Sequence, residues 1–203
     1  MQLYGVRGWG SAIAEGMLAL AGQDYDFIDV EGFDRPGPAR DRLAAVNPLV
    51  QVPALVLDDG AVMTETAAIA LHLSDRTPGL APAIGTPERS RFYRLLIWLV
   101  ANVYPTFTYG DYPERWAPSA AEELVASTDR HRETLFRWLE DQVVEPFVLG
   151  DAPCALDIYI AAMVEWRPRT RWFEQNTPKL MRIAERTRQM PPVTAVMAAN
   201  SKA

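Results

Sequence analysis

Residues 47–70 read NPLVQVPALVLDDGAVMTETAAIA and contain a conflict between strand propensity and proline. Val52 and the apolar residues 54–57 favour an extended, paired backbone, but Pro53 has no N–H to donate to a neighbouring strand. A cis Val52-Pro53 bond would resolve the conflict, because it places the proline in a tight turn. The N–H and C=O of Val52 would then face outward.

The same stretch ends in a pattern that predicts an anion-binding helix start. Thr64, Glu65 and Thr66 precede an apolar-periodic segment. The first N–H groups of a helix have no partner within the helix and attract a carboxylate. Glu65 can accept a hydrogen bond from an ammonium group, so a ligand carrying an amine and a carboxylate on one carbon fits both groups. The alternative is an ordinary capped helix after an ordinary hairpin.

Strand and helix patterns alternate through the first part of the chain. We predict strands at residues 2–6 and 25–30, a helix at 12–21 with Ser11 as its N-cap, a helix at 39–46, a hairpin around Asp59-Gly60, and a helix from Glu65 to about residue 76. This order is compatible with a mixed sheet that carries helices on both faces.

A Pro- and Gly-rich segment without periodicity separates this part from a helical second half. We predict domains at residues 1–77 and 87–203, joined by a linker at 78–86. Helices are expected from Pro87 through Trp98 with a bend or end near Pro105, at 119–144, 154–165 and 178–189, with a short tail from Val193.

Composition excludes several classes of function. The formal net charge of −6 argues against nucleic-acid binding. No apolar run is long enough for a membrane span, and Met1 leads directly into a strand pattern, so we expect a cytoplasmic protein. A single cysteine, Cys154, excludes an intrachain disulfide and a Cys-rich metal site, and with only two histidines a His-based metal centre is not expected.

Five stretches resemble the glutathione S-transferase superfamily, in family order. They are MQLYGVRGWGSAIAEGMLALAG, NPLVQVPAL, MTETAAIALHL, LGDAPCALDIYIAAMV and TPKLMRIAERTRQMPPVTAVM. The resemblance is to a bacterial-type soluble transferase with a serine-type active-site turn. It implies an α/β, thioredoxin-like N-terminal domain with βαβ-α-ββα order, an all-helical C-terminal domain, a homodimer, and glutathione as co-substrate without a metal.

The resemblance assigns glutathione contacts to individual positions. Val52, ahead of cis-Pro53, would pair with the cysteinyl backbone, and Glu65 with Thr66 would hold the γ-glutamyl end. Gln51 would reach the glycine carboxylate, and Trp9 and, more loosely, Arg40 would line the site. Val50 stands where the family often has glycine. A β-branched residue resists a positive φ, so we expect the turn before Gln51 to differ from the family's.

The family holds the glutathione thiolate in the turn between the first strand and the first helix. This turn offers Ser11 as the predicted hydroxyl donor and Tyr4 as the second choice, although Ser11 is equally compatible with a plain N-cap. The region from Gly8 to Gly10 lets the backbone come close to sulfur. Gly10 stands where some bacterial members have a cysteine, so disulfide chemistry is not expected.

Aromatic residues crowd the first half of the helical domain, where the second substrate is expected. The predicted hydrophobic pocket comprises Tyr104, Phe107, Tyr109, Trp116 and Trp166. The Arg-rich stretch Arg167, Arg169 and Arg171 would suit an anionic group on that substrate. The alternative is that these aromatic residues fill the core between helices.

Cys154 occupies a helix N-cap position where the family usually has Thr or Ser, three residues before Asp157. Because sulfur is a poor acceptor, we expect a weakened capping box. Cys154 is interpreted as structural rather than as a nucleophile.

We predict a glutathione transferase that conjugates the thiolate to a hydrophobic electrophile. The alternatives are a glutathione-dependent isomerase or dehalogenase of a small acidic metabolite, and a non-catalytic glutathione-binding module.

Overall fold

A computed structural model describes residues 1–201 and divides the chain into two compact units. One unit contains residues 1–81 and the described residues from Thr187 onward, and the other contains residues 82–186. The division into domains at 1–77 and 87–203 with a linker at 78–86 stays a prediction, since the compact units group residues by contact alone.

The first unit contains a four-stranded mixed sheet. Its strands are β1 (Gln2–Gly5), β2 (Asp26–Asp29), β3 (Ala54–Val56) and β4 (Val62–Met63), in the spatial order β2-β1-β3-β4. β1 and β2 are parallel, whereas β3 is antiparallel to both β1 and β4. The predicted βαβ-α-ββα order is confirmed.

Three helices cover the sheet on its two faces. They are α1 (Ser11–Leu20), α2 (Pro38–Ala44) and α3 (Thr66–Ser74). Leu43 of α2 is buried with Val6 and Ala54 against one face. On the other face, α1 contacts β1 and α3, and its residues from Ser11 to Leu18 are all buried. The mixed sheet with helices on both faces, with which the predicted order of elements was compatible, is confirmed.

The second unit is helical throughout its regular structure. It contains α4 (Pro87–Trp98), a π-helical segment (Leu99–Val103), α5 (Tyr104–Asp111), α6 (Pro113–Trp116), α7 (Ala121–Gln142), α8 (Ala155–Met163), α9 (Thr170–Asn176) and α10 (Pro178–Arg188), the last of which ends just beyond the unit. The bend or end of the helix that was expected near Pro105 is observed as the π-helical segment. Pro105 follows it as the second residue of α5, where a helix needs no N–H.

The start of α8 is a complete capping box in spite of its cysteine. Asp157 Oδ2 accepts from the Cys154 N–H at 2.8 Å, and the Cys154 side chain accepts from the Asp157 N–H. Asp157 Oδ1 also accepts from the Val148 N–H at 2.7 Å. Both reciprocal contacts are therefore formed, and the weakening expected from a sulfur acceptor stays a prediction. Burial raises the pKa of Asp157 to about 6.

The last helix, α11 (Pro191–Asn200), corrects the expectation of a short tail from Val193 within the helical domain. It begins with two prolines, which suit the first turn of a helix. Its packing is with the first unit, where it lies against α1 and buries Val193 and Met197. None of the helices in residues 1–201 is long and apolar enough to cross a membrane.

Candidate functional site

Three segments meet at one end of the sheet. Tyr4 pairs with Ala54, so the end of β1 and the turn beyond it lie beside the start of β3. Leu55 pairs with Met63, so Val52 before β3 and Glu65 after β4 lie at that same end. The hydrogen-bond register alone thus brings together the three segments that the sequence singled out.

Val52 presents a free peptide edge at this end. The Val52-Pro53 bond is cis, as the sequence suggested, and Pro53 is buried. Neither the N–H nor the C=O of Val52 has a hydrogen-bond partner among residues 1–201. A backbone that is not otherwise paired can add one strand-like partner, such as an extended peptide.

The start of α3 provides a second set of unpaired groups. The N–H groups of Thr66, Ala67 and Ala68 have no acceptor in the described part of the chain, and no side chain caps the helix. Thr66 is buried, whereas the Glu65 side chain is exposed. Glu65 has φ 63° and ψ 114°, a conformation that residues with a Cβ rarely adopt. These groups suit a carboxylate on the helix end and an ammonium on Glu65.

Val50 corrects the expectation that valine would change the turn before Gln51. Val50 adopts a φ of 53° and so takes up the glycine-like backbone after all. Its side chain packs against the buried cluster around Leu43, and this packing offsets part of the cost of the conformation. Asn47 also braces the turn, since its Nδ2 donates to the Gln51 carbonyl at 2.9 Å. The Gln51 side chain is exposed.

Ser11 is engaged by the backbone of Val6. Its side chain is fully buried, donates to the Val6 carbonyl at 2.6 Å and accepts from the Val6 N–H at 2.9 Å. It is the first residue of α1 and does not cap the helix, whose N-cap is Gly10. The N-cap interpretation is corrected by this geometry, whereas the role of the hydroxyl as thiolate donor stays a prediction that its donation to the Val6 carbonyl does not favour. The hydroxyl instead ties the start of α1 to the end of β1.

The turn also offers backbone donors. The N–H groups of Gly10 and Ser11 have no acceptor among residues 1–201, and they lie at the positive end of a ten-residue helix. Tyr4 is half-buried beside the Leu43 cluster, and its hydroxyl has no partner in the same range. Trp9 is half-buried as well and packs edge-on against Phe33, with ring centroids 5.7 Å apart.

A cavity of about 330 Å³ opens beside this turn. Its lining combines apolar and charged side chains: Val6, Arg7, Trp9, Phe27, Asp29 and Glu31. The Arg7 guanidinium lies 4.9 Å from the Phe27 ring centroid. The cavity shares Trp9 with the predicted glutathione contacts but includes neither Val52 nor Glu65, so it is a neighbouring space rather than the predicted contact surface.

The five predicted pocket aromatics lie in the second unit as two groups. Tyr104, Phe107 and Trp166 form one cluster, in which the Phe107 and Trp166 ring centroids are 5.1 Å apart and those of Tyr104 and Trp166 are 5.9 Å apart. Tyr109 and Trp116 form a separate pair at 5.0 Å. Phe107 is buried, so it acts at least partly as a core residue, as the alternative interpretation required.

The arginine expected to meet an anionic substrate is already engaged. Arg167 Nη2 donates to the Gly110 carbonyl at 2.6 Å and lies 2.9 Å from Asp111 Oδ1, while Nη1 lies 3.4 Å from Asp129 Oδ2. Asp129 also binds the buried Arg132, whose guanidinium lies 4.5 Å from the Phe107 ring centroid. Arg167 is therefore a structural partner of α5 and α7. Arg169 is exposed and donates to the Glu165 carbonyl.

No group of three or more His, Cys, Asp and Glu side chains within residues 1–201 is arranged to hold a metal ion.

Comparison with known proteins agrees with the fold. The family profile "Glutathione S-transferase, N-terminal domain" matches residues 12–76. The chain is 48% identical over 201 residues to the uncharacterized GST-like protein YncG of Escherichia coli K12, with 98% of both chains covered. A ternary complex of BphK, a bacterial GST, superposes with a TM-score of 0.83 at 26% identity over the whole of both chains.

A sphingomonad glutathione S-transferase complexed with glutathione superposes with a TM-score of 0.82 at 28% identity, again over the whole of both chains. The chain belongs to the glutathione S-transferase superfamily. Its N-terminal unit is thioredoxin-like, and the second unit is the helical part of the glutathione S-transferase fold.

The site residues that sequence reasoning missed are mainly backbone groups. The N–H groups of Gly10 and Ser11, which have no acceptor in the described part of the chain, cannot be recognised from side chains. The glycines at positions 8 and 10 were the signal in the sequence that the backbone of this turn could approach a ligand. The contact of Asn200 with Gly8, which spans 192 positions, had no signal in the sequence at all.

Proposed function

We propose that the protein is a glutathione transferase that conjugates the thiolate of glutathione to a hydrophobic electrophile, as a cytoplasmic homodimer with a role in detoxification. The observation that carries the proposal is the convergence of three unsatisfied groups at one end of the sheet: the peptide edge of Val52, the start of α3 and the start of α1. Family membership makes glutathione the ligand to test against them.

Glutathione has features that match the first two groups. Its cysteinyl peptide unit pairs with the N–H and C=O of Val52. Its γ-glutamyl carboxylate accepts from the N–H groups at the start of α3 and from the Thr66 hydroxyl, and its ammonium donates to Glu65. Gln51 is exposed beside this surface and serves the glycine carboxylate, with Trp9 on the side of the turn.

The thiolate belongs at the start of α1. The reaction requires the thiolate rather than the thiol, so the site must lower the thiol pKa of glutathione. An N–H donor at a helix N-terminus stabilises the anion by hydrogen bonding and by the helix dipole. In this proposal the half-buried Gly10 supplies the N–H that faces the thiolate, while the fully buried Ser11 shapes the turn through its hydroxyl. Tyr4 is the alternative donor, because its hydroxyl is uncommitted.

The electrophile is assigned to the aromatic side chains of the second unit. Tyr104 and Trp166 are the half-buried members of their cluster, and Trp116 is exposed next to Tyr109. Flat apolar surfaces of this kind favour an aromatic or otherwise hydrophobic electrophile. Because Arg167 is bound by two aspartates, a small acidic substrate has less support than the sequence suggested.

Two measurements on the purified protein test the function. Calorimetry should detect binding of glutathione but not of a peptide that lacks the γ-glutamyl group. A dinitrophenyl-type electrophile should be conjugated, with a pH profile that reports a thiol pKa below that of free glutathione. In this assay Tyr4→Phe should keep most of the turnover if the Gly10 N–H suffices, whereas a loss above about tenfold assigns the role to Tyr4.

Other outcomes identify the competing functions. Binding of glutathione without turnover of any electrophile indicates a non-catalytic binding module. Turnover restricted to maleyl-type acids or halogenated acids indicates an isomerase or a dehalogenase. Failure to bind glutathione contradicts all three functions.

A further inference from the structure

The final helix reaches back to the turn that precedes α1. Asn200, the last residue of α11, accepts from the Gly8 N–H through Oδ1 at 2.9 Å and donates from Nδ2 to Glu15 Oε2 at 2.7 Å. Asn200 and Glu15 are only 6% and 2% exposed, so both hydrogen bonds are shielded from water. One amide side chain therefore joins the turn, α1 and α11 within the first unit.

Glu15 is held on its other side as well. The Tyr25 hydroxyl donates to Oε1 at 3.0 Å, and Arg7 Nε lies 4.0 Å from Oε2. Burial and the neighbouring Glu15 raise the pKa of Tyr25, so its hydroxyl stays protonated and remains a donor. The carboxylate is thus a fixed acceptor, and it fixes the orientation of the Asn200 amide: Nδ2 must face Glu15, and Oδ1 must face the turn.

This orientation matters because the Asn200 hydrogen bond to Gly8 is one of two anchors of the turn. The Ser11 hydroxyl holds Val6 at the beginning of the turn, and Asn200 holds Gly8 in its middle. Gly8 has a φ of 74°, a backbone conformation that glycine tolerates, and the hydrogen bond from its N–H to Asn200 is one of the contacts that hold this peptide. The direction of the Gly10 N–H depends on the path of the chain through this point.

We propose that Asn200 is a positioning residue for the thiolate: by holding the Gly8 peptide against α11, it sets the direction of the Gly10 N–H at the start of α1. The inference rests on the proposed function, because it assigns to that same turn the control of thiol acidity. Asn200 touches neither Val52 nor the start of α3, so its effect belongs to the thiolate and not to the binding of the rest of glutathione.

Asn200→Ala is the direct test, measured against Ser201→Ala as a matched control. Ser201 follows Asn200, and its hydroxyl contacts α11 and Arg188 rather than the turn. In Asn200→Ala the midpoint of the pH profile for turnover should rise by about one pH unit, and kcat well below that midpoint should fall by up to about tenfold. The KM for glutathione should change less than about twofold. Ser201→Ala should match the wild-type protein in all three measurements.

A double substitution separates positioning from simple destabilisation. Asn200→Asp alone places two carboxylates side by side, whereas Asn200→Asp with Glu15→Gln restores the hydrogen bond with donor and acceptor exchanged. In the double variant, the carboxylate introduced in place of Asn200 can still accept from the Gly8 N–H. The double variant should return the pH midpoint to within about 0.3 units of the wild-type value. This rescue also decides the case if Asn200→Ala fails to fold.

The outcomes distinguish this inference from the proposed function. If the wild-type protein neither binds glutathione nor turns over an electrophile, the proposed function fails and the role of Asn200 fails with it. If the wild-type protein is active while a folded Asn200→Ala keeps the wild-type pH midpoint and kcat, only the role of Asn200 is overturned. A double variant that folds but shows no rescue also overturns it.

Discussion

At the residue scale, Glu65 combines an unfavourable backbone conformation with an exposed, unpaired carboxylate. Its φ of 63° and ψ of 114° cost about 1–3 kcal/mol in a residue with a Cβ. The Glu65 carbonyl accepts from the Ile69 N–H at 3.0 Å, so α3 holds the residue in place. Backbone strain of this kind at a proposed ligand-binding position suggests that the conformation is kept for function rather than for stability.

Glu65→Gly and Glu65→Gln test whether the backbone conformation of Glu65 costs stability and whether its carboxylate binds glutathione. Glycine tolerates the conformation, so Glu65→Gly should unfold at the same or a higher denaturant concentration, with a gain of up to about 1 kcal/mol. Glu65→Gln keeps the backbone cost and should match the wild type in stability. Both should raise the dissociation constant for glutathione by about tenfold or more, because the ammonium loses its anionic partner. A glutamine variant that binds glutathione normally would remove Glu65 from the site.

At the scale of elements, the join between β1 and α1 is fixed by one hydroxyl. Ser11 satisfies both backbone groups of Val6, and the fit is close enough that a Cβ on Gly5 would lie 2.5 Å from the Ser11 Cβ. Glycine is therefore required at position 5 for the close approach of strand and helix. The two residues together set where α1 begins, and hence where its free N–H groups lie.

Ser11→Ala should cost about 2 kcal/mol of unfolding free energy, because two hydrogen bonds are lost and the buried Val6 N–H is left without a partner, while the Val6 carbonyl still accepts from the Trp9 N–H at 3.2 Å. Ser74→Ala is the matched control: its hydroxyl only bonds the Ala70 carbonyl within α3, so its loss should stay within about 0.5 kcal/mol. Denaturant unfolding followed by circular dichroism gives both values. Equal stability of the two variants would mean that the hydroxyl does not hold the join.

At the scale of the whole molecule, the sequence anticipated the order of elements better than their long-range contacts. Periodicity and turn residues predicted the mixed sheet and most helices, because those signals are local. The direction of the Ser11 hydroxyl depended on its distance to Val6 in the folded chain, which no pattern records. The positive φ of Val50 depended on packing that overrides its intrinsic preference. The contact of α11 with α1 could not be predicted either, because it joins residues that lie far apart in the sequence.

The stability of the whole chain should depend on pH through Asp157. Its pKa is about 6 in the folded state and 3.8 as an ordinary aspartate, so the folded state binds more protons between these values. The stabilising contribution is complete below about pH 4 and is lost as the pH rises through about 6. Between pH 4 and pH 7 it should amount to about 2 kcal/mol.

Asp157→Asn isolates this contribution. The variant loses part of the capping box and is less stable throughout, but its unfolding free energy should not contain the fall of about 2 kcal/mol between pH 4 and pH 7. The ion pair of Glu145 with Arg182 acts in the opposite direction and is common to both proteins, so it cancels in the difference. A difference between wild type and variant that is constant with pH would contradict the prediction.

The position of α11 against α1 also has a consequence for the order of synthesis. Domains at the amino end of a chain usually fold first as the chain leaves the ribosome. Here the sheet and the first three helices are made early, but α1 remains uncovered on the side of Val193 and Met197 until α11 has been made. The Gly8 peptide receives its acceptor only with Asn200. Completion of the N-terminal unit therefore waits until the whole helical unit has been translated, and a nascent chain that stops before α11 lacks the Asn200 hydrogen bond to the turn.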